Sequence, residues 1–263
     1  MLQVEHLKKV YGDGERAVEA IGDLSFEVED NEFVCVVGPS GCGKTTLLKC
    51  ISGLLAPSSG DVRLREQTVD GPPDKMALVF QEYSRSLFPW LTVRQNVELP
   101  LRHKVDKGKA RELCDEAIDS VGLKRFIDSY PWELSGGMQQ RVAIARALAY
   151  QPEILLMDEP FASVDAQTRG DLEDLVLEVR HRYGVTVLFV THDIDEAVYL
   201  SDRIVVLTSS PTSVTEIVDV PLPRPRDQVD TKELPEFARL RAHVYRLIKG
   251  TVAEERQPQQ TAA

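Results

Sequence analysis

The sequence predicts an α/β fold with a mainly parallel sheet, an N-terminal antiparallel β-subdomain and an inserted helical subdomain. Short apolar runs typical of buried strands occur in "EFVCVVG", "KMALVFQ", "EILLMDEP" and "VTVLFVTHD". Helical spacing separates the last two runs, in "TRGDLEDLVLEVRHRYG", and strand–helix–strand alternation predicts a parallel sheet covered by helices. Near the N-terminus, apolar and polar residues alternate in "LSFEVED", which indicates antiparallel strands.

Composition narrows the class of protein. The chain has 263 residues, 43% hydrophobic and 28% charged, which is ordinary for a globular protein. A net charge of −11 argues against nonspecific binding to nucleic acid. The four cysteines lack metal-ligand spacing, so we expect free thiols in a reducing compartment. The N-terminus lacks the apolar stretch of a signal peptide, and no window offers the roughly 18 apolar residues of a membrane span. We therefore expect a cytoplasmic protein that meets a membrane only through a partner.

Three segments are predicted along the chain. The main domain covers residues 1–220. Within it, helical spacing in "KARELCDEAIDSVGL" and "MQQRVAIARALAY" predicts a helical subdomain at about residues 82–151. Residues 221–263 comprise a proline-rich linker, a short amphipathic helix in "LPEFARLRAHVYRLIKG", and a tail of disordered composition, "EERQPQQTAA".

A glycine-rich loop lies between a predicted strand and a predicted helix, and residues 38–45 fit G-x-x-x-x-G-K-[ST]. Glycines let the backbone wrap closely around phosphates, and the helix N-terminus adds positive charge. Lys44 would reach the terminal phosphates, and the Thr45 hydroxyl would ligate Mg²⁺. The alternative is a turn with a surface lysine. The candidate nucleotide-binding residues here are Gly38, Ser40, Gly41, Cys42, Gly43, Lys44, Thr45 and Thr46. Cys42, close to a helix N-terminus, is expected to carry a reactive thiol that ATP protects, and the alternative is that the loop buries the sulfur.

Two carboxylates follow the predicted strand "ILLMD". Ligands bind at the carboxyl ends of strands in open α/β sheets, so Asp158 is a candidate Mg²⁺ contact. Glu159 would orient or deprotonate a water that attacks the γ-phosphate. The alternative is a pair of solvated carboxylates at a strand end.

A second glycine pair occurs in "ELSGGMQQR". Ser135 is a good N-cap residue, and Gly136 and Gly137 precede a helix expected to begin near Met138. A helix N-terminus of this kind can bind an anion. Judged alone, the segment is better explained as an ordinary capped helix, and only the other motifs favour an anion site.

The order of these motifs resembles that of the ATP-binding subunits of ATP-binding-cassette transporters. In that order come the phosphate loop, Gln81 after a strand, "LSGGMQQR" as the signature motif, "LLMDEP", "SVDA", and His192 after a strand. The resemblance covers about residues 1–220. Val164 departs from the family pattern, where leucine is commoner, but Asp165 is present.

The resemblance implies a phosphate-loop ATPase that binds ATP and Mg²⁺ as a homodimer or pseudo-dimer. Two subunits would pack head to tail, so that each ATP lies between the phosphate loop of one subunit and the signature segment of the other, Ser135 to Gly137. Asp165 would cross the dimer interface.

The resemblance also assigns roles to three further residues. Gln81 would contact Mg²⁺ and the attacking water, and His192 would contact the γ-phosphate. Tyr11 matches the aromatic residue that stacks on adenine, although it could instead anchor an N-terminal strand.

Two classes of cassette protein fit these motifs, namely transporter motors and soluble cassette ATPases that act in DNA repair or on the ribosome. Soluble members that act in DNA repair carry long coiled-coil insertions, and ribosomal members carry two cassettes; this chain shows neither feature. The segment "YSRSLFPWLTVRQNVELPL" resembles the part of transporter motors that holds a short permease helix. The alternative is that Leu87, Phe88 and Trp90 pack inside the helical subdomain.

Within importers, "QEYSRSLFPWLTV" and "LPRPRD" resemble the nitrate, sulfonate and taurine group. The implied protein is a peripheral ATPase motor on the cytoplasmic face of the membrane, driving import of a small oxyanion of the nitrate, sulfonate, taurine or bicarbonate type. Its partners would be permease subunits and, indirectly, an extracytoplasmic substrate-binding protein, with no nucleic acid. A motor for another cargo class, such as methionine or spermidine, is the alternative.

Overall fold

The computed structural model of the protein describes residues 1–82 and 86–256, which form two units. The first unit contains Met1–Pro73 and the chain from Thr186 onward, and the second contains Asp74–Val185. Two predicted features fall partly outside the described residues: residues 83–85 of the permease-binding segment, and residues 257–263 of the tail.

The strands, numbered along the chain, are β1 (Leu2–Tyr11), β2 (Val18–Val28), β3 (Phe33–Val37), β4 (Ser59–Leu64), β5 (Gln67–Thr68), β6 (Met76–Val79), β7 (Ile154–Asp158), β8 (Thr186–Val190), β9 (Arg203–Leu207) and β10 (Thr212–Asp219). The α-helices used below are α1 (Lys44–Ile51), α2 (Val93–Glu98), α3 (Lys107–Ser120), α4 (Gly136–Ala149), α5 (Ala166–Tyr183), α6 (Ile194–Leu200), α7 (Asp230–Glu233) and α8 (Pro235–Arg256).

The first unit combines parallel and antiparallel strands, in the order β5-β4-β1-β2-β10-β9-β3-β8. β1 pairs antiparallel with β2 and β4, as the alternating N-terminal pattern predicts. β3 lies between β8 and β9 and is parallel to both. Every residue of β3 and β8 is buried. Burial on both faces explains why these strands are continuous apolar runs in the sequence.

In the second unit, β6 and β7 are parallel neighbours. α4 packs against β6 and against α2 and α3. α4 begins at Gly136, two residues before the predicted start near Met138. Neither Gly136 nor Gly137 has a positive φ, so both glycines continue the helical backbone up to the Ser135 cap.

The C-terminal helix is longer than predicted. α8 extends to Arg256, beyond the predicted amphipathic segment and into the first residues of the predicted tail. The helix packs against α6, β9 and β10. Among the described residues, we find no helix with the length and apolar character needed to cross a lipid bilayer.

Candidate active site

The phosphate loop connects β3 to α1 and owes its shape to two glycines. Gly41 has φ of 79° and Gly43 has φ of 104°, a region that residues with a Cβ rarely adopt. Gly43 precedes α1 and supplies no side-chain cap. The first N–H groups of a helix have no intrahelical partner, so these amides are available to an anion.

The loop is packed tightly on its inner side. A Cβ on Gly38 would lie 3.0 Å from the Leu207 Cβ and 3.1 Å from the Cys42 Sγ. The Thr212 hydroxyl donates to the Cys42 carbonyl, and the Cys42 side chain is only 2% exposed. The accessible thiol expected at Cys42 is therefore wrong, because the sulfur lies beneath the loop.

Lys44 bends back over the loop that precedes it. Its side chain is 6% exposed, and its Nζ donates to the carbonyl oxygens of Gly38 and Pro39, both at 3.0 Å. Ser40 and Thr45, by contrast, are exposed on the outer side. The buried ammonium is thus balanced by backbone dipoles of the loop itself.

Tyr11 lies close to the start of α1. Its hydroxyl is 3.2 Å from the Thr46 Oγ1, and its ring is partly exposed. The Lys9 ammonium lies 5.5 Å from the ring centroid. The tyrosine therefore presents an aromatic face beside the phosphate loop while also anchoring β1 to α1.

His192 emerges at the same edge of the sheet as the phosphate loop. Val36 of β3 pairs with Val190 of β8, and the Thr191 N–H donates to the Val36 carbonyl at 3.2 Å. His192 is exposed just beyond this point. Adjacent parallel strands thus bring His192 and the phosphate loop to one edge.

The turn that holds His192 is fixed by hydrogen bonds. The Thr191 hydroxyl donates to Glu196 Oε2 at 2.6 Å and accepts from the Asp193 N–H at 2.9 Å. The Asp193 carboxylate caps α6. These contacts fix the backbone on both sides of His192.

In the second unit, Gln81 and Glu159 meet at the carboxyl ends of β6 and β7. Val79 pairs with Met157, which places each side chain two residues beyond a paired position. Gln81 Nε2 donates to Glu159 Oε2 at 3.2 Å. Two residues 78 positions apart in sequence therefore form one polar pair.

The backbone at Glu159 is unusual. Its φ is 41°, in the left-handed region, which typically costs about 1–3 kcal/mol for a residue with a side chain. The preceding residue, Asp158, is 5% exposed. A buried carboxylate is expensive unless donors or a cation accompany it, which fits the predicted Mg²⁺ contact.

Within the described part of the chain, no three His, Cys, Asp or Glu side chains converge on one point. Mg²⁺ is typically held by one or two carboxylates together with substrate phosphates. Of the predicted ligands, Asp158 is a buried carboxylate, and Gln81 belongs to the same unit. Thr45 belongs to the first unit and is exposed, and the joint role of the three stays a prediction.

The signature segment is the N-terminus of α4. Ser135 Oγ accepts from the Met138 N–H at 3.3 Å. Ser135 and Gly136 are exposed, whereas Gly137 is buried. Asp165 caps the neighbouring helix α5.

Thr168, which the sequence did not predict as a site residue, binds the Asp165 carboxylate. The Thr168 N–H donates to Asp165 Oδ1 at 3.0 Å, and its hydroxyl donates to Oδ2 at 2.7 Å. These bonds lower the pKa of Asp165. The spacing of an N-cap to its third helical residue predicts the amide contact, but nothing in the sequence predicts the hydroxyl contact.

The predicted permease-binding segment is rigidly held where it is described. The Asn96 amide donates to the carbonyls of Phe88, Leu91 and Thr92 at 3.0–3.1 Å and accepts from the Phe88 N–H at 2.8 Å. Arg146 donates to the Ser86 carbonyl at 2.6 Å. Arg146 was not predicted because it contacts a residue 60 positions away, and Asn96 was not predicted because no motif marks its local contacts with the turn.

The apolar residues of that segment divide into two groups. Leu87 is buried, as the packing alternative predicted. Phe88 and Trp90 form an edge-to-face pair with centroids 5.4 Å apart, and Trp90 is 68% exposed. The segment therefore uses one residue for packing and presents an aromatic pair to the outside.

Residues 21–162 match the family described as ABC transporter. An uncharacterised ABC transporter ATP-binding protein of Methanocaldococcus jannaschii is 48% identical over 252 residues, covering 95% of this chain and 92% of that protein. A bicarbonate transport ATP-binding protein of Synechococcus elongatus is 42% identical, with coverage of 91% and 87%. A nitrate import ATP-binding protein of the same organism is 46% identical over 91% of this chain, which spans 37% of that longer protein.

Among solved structures, a dimeric ATP-binding cassette bound to ADP and Pi is similar in fold. Its TM-score is 0.73 and its sequence is 34% identical, with coverage of 84% of this chain and 99% of that one. The predicted fold class and family are both confirmed. The chain therefore belongs to the ABC transporter family, as an ATP-binding subunit that couples ATP hydrolysis to transport.

Proposed function

We propose that two copies of this chain form the ATP-driven motor of an importer for a small oxyanion. Each ATP would lie between the phosphate loop of one subunit and the Ser135–Gly137 segment of the other. The motor would bind permease subunits at the cytoplasmic face of the membrane, with an extracytoplasmic binding protein delivering the cargo. The observation that carries the ATPase part is the Gln81–Glu159 pair at the strand ends, which puts an amide beside a carboxylate base.

The side chains support this chemistry in distinct ways. Lys44 would exchange the carbonyls of Gly38 and Pro39 for the terminal phosphates of ATP. Glu159 would accept a proton from the attacking water, which the Gln81 amide orients. His192 would donate a hydrogen bond to the γ-phosphate. Bound Mg²⁺ would neutralise charge on the phosphates.

The dimer is supported by the exposed N-terminus of α4. Ser135 and Gly136 lie at its surface, where helix amides favour an anion. The similar cassette bound to ADP and Pi was solved as a dimer. Tyr11, whose hydroxyl lies beside Thr46, would stack on the adenine of the ATP bound by its own subunit.

The cargo class is supported by the relatives. Two of them are named for nitrate import and bicarbonate transport, and both cargoes are small oxyanions. The direct test is ATPase stimulation in the reconstituted transporter. We expect binding protein loaded with nitrate, bicarbonate or a sulfonate to stimulate hydrolysis. Stimulation only by binding protein loaded with a sugar, peptide or metal would contradict the cargo class and leave the motor intact. Hydrolysis without any permease requirement would favour a soluble cassette ATPase.

Trp90 is proposed as the main contact with the permease. Large aromatic side chains buried on binding often dominate an interface, so Trp90→Ala should weaken docking by about 2 kcal/mol or more. ATP binding should be unchanged, because the segment contributes no phosphate contact. Copurification of the permease with the variant measures the loss.

Trp132→Ala is the matched control. Trp132 lies in the same unit, is 64% exposed, and stacks on Tyr130 with centroids 4.6 Å apart. It should leave permease binding at the native level. Equal copurification of the Trp90 and native chains would overturn the docking assignment.

A further inference from the structure

The signature segment touches the helix that follows Asp165 at one point. A Cβ added to Gly137 would lie less than 3.0 Å from the Thr168 Cγ2 methyl, closer than real Cβ atoms approach other atoms. The Thr168 Cβ would be 3.8 Å away, which is ordinary contact. The obstacle to a side chain at position 137 is therefore the single methyl group of Thr168.

Thr168 has little freedom to move that methyl aside. Its hydroxyl donates to Asp165 Oδ2 at 2.7 Å while its amide donates to Oδ1 at 3.0 Å. Threonine carries two heavy atoms on Cβ, so the position of the hydroxyl determines the position of the methyl. Rotating the methyl away from position 137 would break the hydroxyl contact with Asp165.

Backbone conformation does not require a glycine at position 137. Gly137 lies inside α4 and has no positive φ. Alanine is the more favourable residue in a helix interior. We therefore attribute the glycine to lack of space beside Thr168, the side chain that a Cβ at position 137 would meet.

We propose that Thr168 is a positioning residue that couples the signature segment to Asp165 within one subunit. Its methyl group packs on Gly137 and its hydroxyl orients the Asp165 carboxylate, so the two segments move as one body. This inference rests on the proposed function, in which both segments face the partner subunit across ATP. Through Thr168, a substitution at Gly137 would alter the orientation of the Asp165 carboxylate.

The test uses double variants in a Glu159→Gln background, where the ATP-bound dimer should accumulate. Gly137→Ala should push Thr168 off its position and weaken ATP-driven dimerisation by about tenfold or more, as loss of a hydrogen bond to a charged group would. Adding Thr168→Ser removes the methyl and keeps the hydroxyl. Gly137→Ala/Thr168→Ser should therefore recover dimerisation to within about threefold of the parent.

The matched control is Gly137→Ala/Thr168→Val, which keeps a branched methyl and loses the hydroxyl. It should show no recovery. Dimerisation is measured by sedimentation with and without ATP, and ATP affinity of the monomer by nucleotide fluorescence. Affinity should be equal in all variants, since neither Gly137 nor Thr168 belongs to the phosphate loop proposed to bind ATP in the monomer. The same variants with native Glu159 should change kcat and leave KM near its native value.

Each outcome decides a different claim. A Gly137→Ala chain that dimerises normally, or a serine double variant as impaired as the single one, overturns the coupling. If Gly137→Ala fails to fold, recovery of the melting temperature in the serine but not the valine double variant supports it, and equal instability of both overturns it. If the Glu159→Gln parent itself never dimerises with ATP, the proposed function fails, and the coupling fails with it.

Discussion

The phosphate loop and the signature segment are both glycine-rich and both lead into a helix, yet they use glycine for different reasons. In the phosphate loop, Gly41 and Gly43 adopt positive φ, and the helix start has no side-chain cap. In the signature segment the backbone is ordinary helix, and Ser135 caps it. There Gly137 is required by a neighbouring methyl group.

Glycine is favoured in the phosphate loop by backbone conformation and at position 137 by lack of space for a side chain. The uncapped amides of α1 remain available to a ligand bound by the same subunit. The α4 amides are partly satisfied by Ser135, and that segment has a packed inner side and an exposed outer side. In the proposed dimer, the first loop would bind ATP within its own subunit, whereas the second would contribute to a site only together with a partner subunit.

The largest effect should follow removal of Lys44. Lys44→Ala should abolish ATP binding by the single subunit and reduce hydrolysis to background, because the loop loses its only cation toward the β- and γ-phosphates. Equilibrium binding of a fluorescent ATP analogue measures this. Lys49→Ala, an exposed lysine on the same helix, should bind ATP normally. Near-native hydrolysis by Lys44→Ala would show that the phosphate loop is not part of the active site.

Glu159→Gln should have the next largest effect, and a different one. Hydrolysis should fall on the order of 10²–10⁴-fold, since the general base is lost, while ATP binding persists. The dimer should then accumulate with ATP, which gel filtration detects. A variant that stays monomeric with bound ATP would show that the signature segment does not complete the site, and the contrast between the two loops would fail.

Gly41 tests the conformational half of the comparison. Nothing lies within 4 Å of a Cβ at this position, so only its φ of 79° opposes a side chain. Gly41→Ala should lower the free energy of unfolding by about 1–2 kcal/mol, and Gly41→Asn by less, because asparagine tolerates this region better. Urea denaturation without nucleotide provides the measurement. Equal stability of the native and alanine chains would refute the conformational explanation.

The smallest effect concerns the thiols. All four cysteines are buried, and burial raises the pKa of Cys114 to about 12. A raised pKa keeps the thiol protonated at pH 7–8, where maleimide requires the thiolate. The folded protein should therefore label slowly at Cys114, and also at Cys42 because its side chain is buried, with and without ATP, and rapidly once unfolded. Fast labelling of Cys42 that ATP prevents, mapped by mass spectrometry, would mean that the phosphate loop opens.

Local patterns in the sequence predicted much of the fold, and the assigned roles of the site residues stay predictions. Continuous apolar runs located β3, β7 and β8, and the motif between β3 and α1 located the phosphate loop. The contact of Arg146 with Ser86 and that of the Thr168 methyl with Gly137 join segments distant in sequence, so local patterns could not predict them. Asn96 and the Thr168 hydroxyl make local contacts, but which side chains fold back onto a neighbouring backbone or carboxylate is set by rotamers that the sequence pattern does not specify. Cys42 was wrongly expected to be accessible, because helix position predicts charge but not burial. The division into residues 1–220, with an insertion at 82–151, and 221–263 stays a prediction.

The bent-back position of Lys44 has a consequence for how nucleotide would enter and leave the proposed site. The carbonyls of Gly38 and Pro39 already hold the buried ammonium, so they would compete with the phosphates of ATP for it. Burial of the cation is part of folding rather than part of binding, so it would not reduce affinity at the moment of encounter. The same carbonyls would take the ammonium back as product departs. Nucleotide exchange would then be a swap of partners around one largely buried cation.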